Sequence, residues 1–185
     1  IQLERLNRKL QRDTKYLKTL NGHQIMGVKY FYDISQKIPR EEVQRAEKIL
    51  NASAKHLNAD LMITLCGSYR RGRSKSGDID CLITHPEIKT MEDLNEYPVN
   101  LLAKFVEFLT KLDFLVDHLT DNGRSKYMGF CVIKTPGKKA TSTGNGNIAR
   151  RIDIRFIPFN SYGCAILYFT GSKLFNTTMR SHALS

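Results

Sequence analysis

Apolar positions along this chain follow two rhythms, one helical and one of strict alternation. Val43, Ala46, Leu50, Ala54 and Leu57 recur every three or four residues, which predicts a long amphipathic helix. Pro39 stands at its entrance and Glu41 and Glu42 in its first turn, where a fixed φ and negative charge both favour a helix start. A second helical stripe, Leu101, Leu102, Phe105, Val106, Leu109 and Leu112, follows Pro98. Residues 1–20 carry Leu3, Leu6, Leu10 and Leu17 at roughly helical spacing in a basic stretch that Asn21-Gly22 breaks, and 24–37 read as a short helix and turn. Two further helical pieces, 161–169 and 172–184, are split by Thr170-Gly171.

The strand rhythm appears elsewhere. Leu61–Cys66 and Cys81–Thr84 are short apolar runs with the look of buried strands, and 114–119 and 127–133 add two more around an Asp121-Asn122-Gly123 turn. In 151–157, Ile152, Ile154 and Phe156 face one way, and Arg151, Asp153 and Arg155 the other. Between the last two strands, 134–147 is rich in Gly, Thr, Ser and Lys and reads as a mobile loop. The expected class is α+β: a small mixed sheet flanked by helices. No internal repeat is visible.

Composition adds partners to this picture. The 185 residues are 41% apolar, enough for one domain, or one large and one partial, with a real core. The net charge of +11 suits a polyanion and predicts salt-sensitive binding. Cys66, Cys81, Cys131 and Cys164 form no close pair and read as reduced core residues rather than a disulfide frame or zinc site. The apolar runs are far shorter than a membrane span, so no membrane partner is expected.

The chemistry concentrates in Gly67-Ser-Tyr-Arg-Arg-Gly-Arg-Ser-Lys-Ser-Gly-Asp-Ile-Asp80. Asp78 and Asp80 alternate onto one face of a strand, where two crowded carboxylates raise each other's pKa and a divalent cation such as Mg²⁺ relieves them. Gly67 and Ser68 offer backbone N–H groups and a hydroxyl to a phosphate, and Arg71 a charge-assisted bond. Asp153 has two readings. It is either a surface residue paired with Arg151 or Arg155, or a third ligand that meets Asp78 and Asp80 from a neighbouring strand; its spacing does not choose. Three such carboxylates suit two cations and in-line displacement at phosphorus.

Gly67-Ser68, nine residues and Asp78-Ile79-Asp80 resemble the nucleotidyltransferase signature. The fuller run closely resembles the family X DNA polymerases of beta type. It adds Lys29-Tyr-Phe, Ile38-Pro-Arg-Glu-Glu42, Thr84-His-Pro, Arg150-Arg-Ile-Asp-Ile-Arg155, Leu167-Tyr-Phe-Thr-Gly-Ser172, Phe175-Asn176 and Met179-Arg-Ser-His-Ala-Leu184 in the same order. The likeness starts near residue 24 and reaches the C-terminus. It implies a palm over 39–158, the end of a fingers-like DNA-binding subdomain over 1–38, and the start of a nucleotide-selection subdomain over 159–185. The chain then reads as a fragment, without the family's lyase domain and most of its last subdomain.

The resemblance also implies roles. Asp78, Asp80 and Asp153 match the metal-binding carboxylates, with two Mg²⁺ ions expected and Mn²⁺ as a substitute. Gly67, Ser68, Arg71, Ser76 and Gly77 match the dNTP triphosphate cradle. Tyr168, Phe169 and Gly171 match the segment against the sugar, and Asn176 a minor-groove contact of the incoming nucleotide. Arg151 matches a residue that positions the primer end, Arg180 one that reaches the template, and Lys126 one near the DNA backbone. Alone, Tyr168 and Phe169 would read as core aromatics, and Asn176 and Arg180 as helix surface. Lys173 and Thr177 depart from the family pattern beside the expected nascent base pair. The implied function is gap-filling DNA synthesis in base excision repair, by a monomer on gapped or primed DNA with dNTP, in the nucleus or a mitochondrion. The rivals are a template-independent or RNA-directed nucleotidyltransferase and a non-catalytic DNA-binding fragment. Tyr168-Phe169 weighs against the template-independent branch, which resembles Gly-Trp here.

Overall fold

The computed structural model describes residues 18–121, 123–134 and 148–184. The expected N-terminal helix, Asn122 of the expected turn and nearly all of the expected 134–147 loop lie outside the described residues. The chain divides between Gln36 and Lys37 into two compact units. In the first, Asn21-Gly22 is a helix start. The Asn21 side chain accepts from the Gln24 N–H, and the Gln24 side chain accepts from the Asn21 N–H, each at 2.9 Å. This capping box opens α1 (Gly22–Lys29), and α2 (Phe31–Ile34) follows. The expected single helix over 24–37 is therefore two short ones.

The second unit is built on a five-stranded sheet of β2 (Met62–Leu65), β4 (Ile79–Thr84), β5 (Leu115–His118), β6 (Lys126–Val132) and β7 (Ala149–Phe156), in the order β2-β4-β7-β6-β5. β4 and β7 run parallel and the other neighbours antiparallel, so the sheet is mixed. A miniature sheet, which the pattern did not announce, pairs β1 (Ile38–Pro39) with β3 (Lys75–Ser76).

One face of the sheet is closed by α3 (Arg40–Leu57) and α6 (Leu101–Lys111). Val43, Ala46, Leu50 and Ala54 of α3 and Leu102, Phe105, Val106 and Leu109 of α6 share a core with Ile79, Cys81 and Ile83 of β4 and Ile152, Ile154 and Phe156 of β7. Alternation then turns Asp80, Leu82, Arg151, Asp153 and Arg155 to the opposite face. There α7 (Tyr162–Thr170) covers Leu82 through Tyr162, Ala165, Ile166 and Phe169, and α8 (Lys173–Ala183) follows. A palm-type α+β architecture is thus what the chain forms.

Some expectations need correction. α6 starts at Leu101, not Pro98, because Asn100 accepts from the Ala103 N–H at 3.0 Å and caps it. Leu112, expected on its apolar side, is exposed just past the end of α6. An extra helix, α5 (Met91–Glu96), is opened by a Thr90/Asp93 capping box. Cys66, Cys81 and Cys131 are buried, but Cys164 is exposed. It lies outside the 162, 165, 166, 169 stripe with which α7 meets the sheet.

Candidate catalytic site

Asp80 and Asp153 face each other directly across the parallel β4–β7 pair. Asp78 stands two residues before Asp80, just ahead of β4, rather than within the strand as the sequence suggested. One ligand atom from each of Asp78, Asp80 and Asp153 lies within 4.8 Å of the others, and all three residues are half-buried. Of the two readings of Asp153, the geometry gives the shared cluster. Arg151 completes it: its Nη2 donates to Asp78 Oδ2, so the arginine pairs with the distant carboxylate rather than its sequence neighbour.

The β2–β4 turn makes this convergence possible. Cys66 N–H donates to the Asp80 carbonyl at 2.8 Å, and the chain then turns through Gly67 at φ +57° into a one-turn helix, α4 (Gly67–Arg70). A Cβ on Gly67 would lie 2.1 Å from Asp80 Oδ2. Only a glycine lets the backbone pass this close to the carboxylate.

The electrostatics follow from crowding. Burial, then the charges of Asp78 and Asp153, push the Asp80 carboxyl up to about 7, against the pull of Arg151 and Arg71. Asp153 is raised too, first by burial and by Asp78, with Arg151, Arg155 and Lys126 pulling the other way. Burial opposes the charge on Arg151, yet its bond to Asp78 and the three carboxylates hold its pKa above the usual value. Asp153 Oδ1 is buried without a hydrogen-bond partner. A carboxylate oxygen left bare beside two more carboxylates is what a hard divalent cation requires. The residues present fit such an ion.

Beside the carboxylates runs the basic segment 70–75, all of it exposed, while Ser68 is half-buried. Ser76 is buried in β3 with its hydroxyl unpartnered, and Gly77 leads directly into Asp78. Arg71 Nη1 donates to the Thr170 carbonyl at 2.5 Å, tying this segment to the end of α7. That end turns at Gly171, with φ +71° and a cis peptide to Ser172. Asn176 Nδ2 donates back to the Tyr168 carbonyl at 2.7 Å, while its Oδ1 is buried without a partner. Phe169 packs beneath Arg155, whose guanidinium is 5.9 Å from the ring centroid; Tyr168 is 44% exposed, so it is not the core aromatic its type suggests.

The structure thus brings Asp78, Asp80, Asp153, Arg151 and Gly67 into one cluster, and Arg71, Gly171, Asn176 and Tyr168 into a second linked to it. Lys126, exposed on β6 opposite Arg155, acts on Asp153 through its charge. Arg180 is exposed in the last turn of α8, four residues beyond Asn176 and on its helix face. Sequence reasoning missed how Arg40, Glu42 and Glu47 grip this site. Glu42 takes Arg150 Nε and Nη2 at 2.7 and 2.9 Å in a buried two-point pair beside Arg151. The signal was the Ile38–Glu42 run itself.

Residues 37–159 match the family model described as DNA polymerase beta palm. The chain is 35% identical over 175 residues to DNA polymerase lambda of Rattus norvegicus, covering 92% of this chain and 28% of that protein. It is 32% identical over 177 residues to DNA polymerase lambda of Arabidopsis thaliana, covering 91% and 30%. The chain spans less than a third of the length of these two relatives. Among the described residues no helix is long and apolar enough to cross a membrane.

Proposed function

The chain belongs to the family X DNA polymerases through their beta-type palm, and from that membership we propose that it carries the catalytic palm of a DNA-directed DNA polymerase. Its substrates are a dNTP and the 3′-OH of a primer in gapped or primed DNA, and its role is gap filling in base excision repair. The observation that carries this reading is the gathering of Asp78, Asp80 and Asp153, with Asp153 Oδ1 bare, next to an exposed basic segment. The +11 net charge supports a polyanionic partner, and the proposed location is the nucleus or a mitochondrion.

In the proposed mechanism Asp78, Asp80 and Asp153 would hold two divalent cations, Mg²⁺ by preference and Mn²⁺ as a substitute. When bound, these ions supply Lewis-acid activation of the primer hydroxyl and neutralise charge on the leaving pyrophosphate. The chain does the rest by positioning. Gly67, Ser68, Arg71, Ser76 and Gly77 bind the triphosphate. Tyr168, Phe169 and Gly171 pack against the sugar and disfavour a ribonucleotide 2′-OH. Asn176 contacts the minor-groove edge of the incoming base. Arg151 orients the primer end, Arg180 contacts the template strand, and Lys126 the DNA backbone.

The test is extension of a labelled primer across a one-nucleotide gap with each dNTP in turn. Addition of the template-matched nucleotide alone, dependent on a divalent cation, is expected. Addition without regard to template would favour a template-independent transferase. Binding of gapped DNA with no addition by the whole protein would favour a DNA-binding role.

A further inference from the structure

The Ile38–Glu42 run takes no part in the chemistry proposed above, yet it grips the segment that carries the phosphate-binding residues. Ile38 pairs with Ser76 and Pro39 with Lys75. Arg40 N–H donates to the Ser74 carbonyl at 2.9 Å. Arg40 Nη1 donates to the Tyr69 carbonyl at 2.8 Å and to the Arg73 carbonyl at 3.3 Å. The same guanidinium lies 4.4 Å from the centroid of the Tyr69 ring. Two helical turns along α3, Glu47 Oε2 accepts the Tyr69 hydroxyl proton at 2.6 Å.

We propose that Arg40, Glu47 and Tyr69 form a clamp that sets the position of the segment bearing Ser68, Arg71, Ser76 and Gly77, and so act as positioning residues for nucleotide binding. This rests on the polymerase reading of the site. The need for a clamp comes from charge. Arg70, Arg71, Arg73 and Lys75 place four cations within six exposed residues, and their mutual repulsion opposes a compact segment. The apolar core cannot oppose this, because the segment's residues 70–75 lie outside it. Tyr69 is the segment's one apolar side chain in the core, with 9% of its surface exposed, and Ser76 is held by β3.

A phenylalanine would fill the same space as the Tyr69 ring. The hydroxyl adds a fixed direction: it ends on a carboxylate of α3 in a charge-assisted bond, which is shorter and stronger than a neutral one. Burial, and then Glu47, raise the Tyr69 hydroxyl to about 12, so it stays a donor at any working pH. Arg40 reads the other side of the same residue, with one nitrogen shared between the carbonyls of Tyr69 and Arg73. Gly72 N–H also donates to the Tyr69 carbonyl, at 3.1 Å, and Arg73 N–H to the Ser68 carbonyl, at 3.1 Å, so displacement of Tyr69 moves Ser68 and Arg71 together.

The test separates nucleotide affinity from turnover. Single-turnover gap filling by the whole protein is followed over a range of dNTP concentrations for wild type, Tyr69→Phe, Glu47→Ala, Glu47→Gln and the Tyr69→Phe/Glu47→Ala double variant, with melting temperatures recorded beside it. Tyr69→Phe and Glu47→Ala are each expected to raise the apparent dNTP Kd about three- to tenfold, with the maximal rate within about twofold. The double variant should do no worse than either single, because both remove one bond. Glu47→Gln, whose amide oxygen still accepts the hydroxyl, should restore most of the affinity lost in Glu47→Ala. Melting temperatures lowered with no change in dNTP Kd, or single effects that multiply in the double variant, would overturn the clamp. A wild-type protein that adds no nucleotide would overturn the polymerase reading and the clamp with it; a wild type that fills the gap beside unaffected variants overturns the clamp alone.

Discussion

Gly67→Ala isolates the tightest constraint in the site. The new methyl would sit 2.1 Å from Asp80 Oδ2 and 3.2 Å from Asp80 Cγ. An ordinary carbon–oxygen contact needs about 3.4 Å, close to the separation at which dispersion contacts are best. Asp80 or the backbone must therefore give way by more than about 1 Å, well beyond the tolerance of about 0.2 Å for a metal ligand. Holding an alanine at φ +57° adds about 1–2 kcal/mol of strain. With partial relaxation of the contact, the stability loss comes to about 2–3 kcal/mol, a fall in melting temperature of about 4–12 °C for a domain of this size. The rate should fall by about a hundredfold or more, the usual result of an ångström's misplacement at a reacting centre. Gly72→Ala is the control. Its φ is +79°, but a methyl there meets nothing within 4 Å. It should show the backbone strain alone and keep most of the rate. The assay is single-turnover gap filling, with thermal melts and a divalent-cation titration. A Gly67→Ala protein that keeps its rate within about threefold of Gly72→Ala would refute the reasoning, because Asp80 would then not be held against the turn.

Three further perturbations follow. Asp80→Asn removes one of three crowded carboxylates, so it should stabilise the metal-free protein by about 1–2 kcal/mol in a thermal melt. Added Mg²⁺ should raise the melting temperature of wild type and leave the variant almost unmoved; equal shifts in both would count against a shared cation site. Glu42→Leu removes the two-point carboxylate partner of the Arg150 guanidinium, 4% exposed, and should destabilise by about 3 kcal/mol in denaturant unfolding; a loss below about 1 kcal/mol would contradict the burial argument. Asp93 carries a depressed pKa, held down by the backbone N–H groups of Thr90 and Lys89. A depressed folded-state pKa contributes stability above the unfolded value and loses it as pH falls, so the advantage of wild type over Asp93→Asn should shrink in melts taken below about pH 4. A gap that widens with acid would reverse the assignment.

Much of the fold was legible because its elements obey strong periodicities. Val43 to Leu57 and Ile152 to Phe156 each repeat long enough for their burial to be read directly, and the strands ending in the site fall within two residues of their expected positions. Helix starts were harder. Pro98 marks an entrance, but the Asn100 side chain sets it, and α5 rests on a Thr90/Asp93 cap whose pattern is short and common. Cys164 went astray because α7 is apolar on every side, and only packing tells which face meets the sheet. In the site, Asp78 and Asp80 were readable from two-residue spacing. Asp153 was not, because its distance to them depends on β4 and β7 being adjacent and in register, which no local pattern encodes. The Ile38–Glu42 run was noticed, but what Arg40, Glu42 and Glu47 hold was not readable for the same reason: each bond spans 22 or more residues of sequence.

The central claim is that Asp78, Asp80 and Asp153 act together in nucleotidyl transfer, and Asp153→Asn tests it most directly. The measurement is the single-turnover rate of template-matched addition in a one-nucleotide gap with Mg²⁺, with gapped-DNA affinity measured in parallel. The account predicts a rate lower by about a thousandfold or more, the scale of losing an electrostatic element of a phosphoryl-transfer site, with DNA affinity within about threefold of wild type. A variant that fills the gap at a rate near wild type would contradict it.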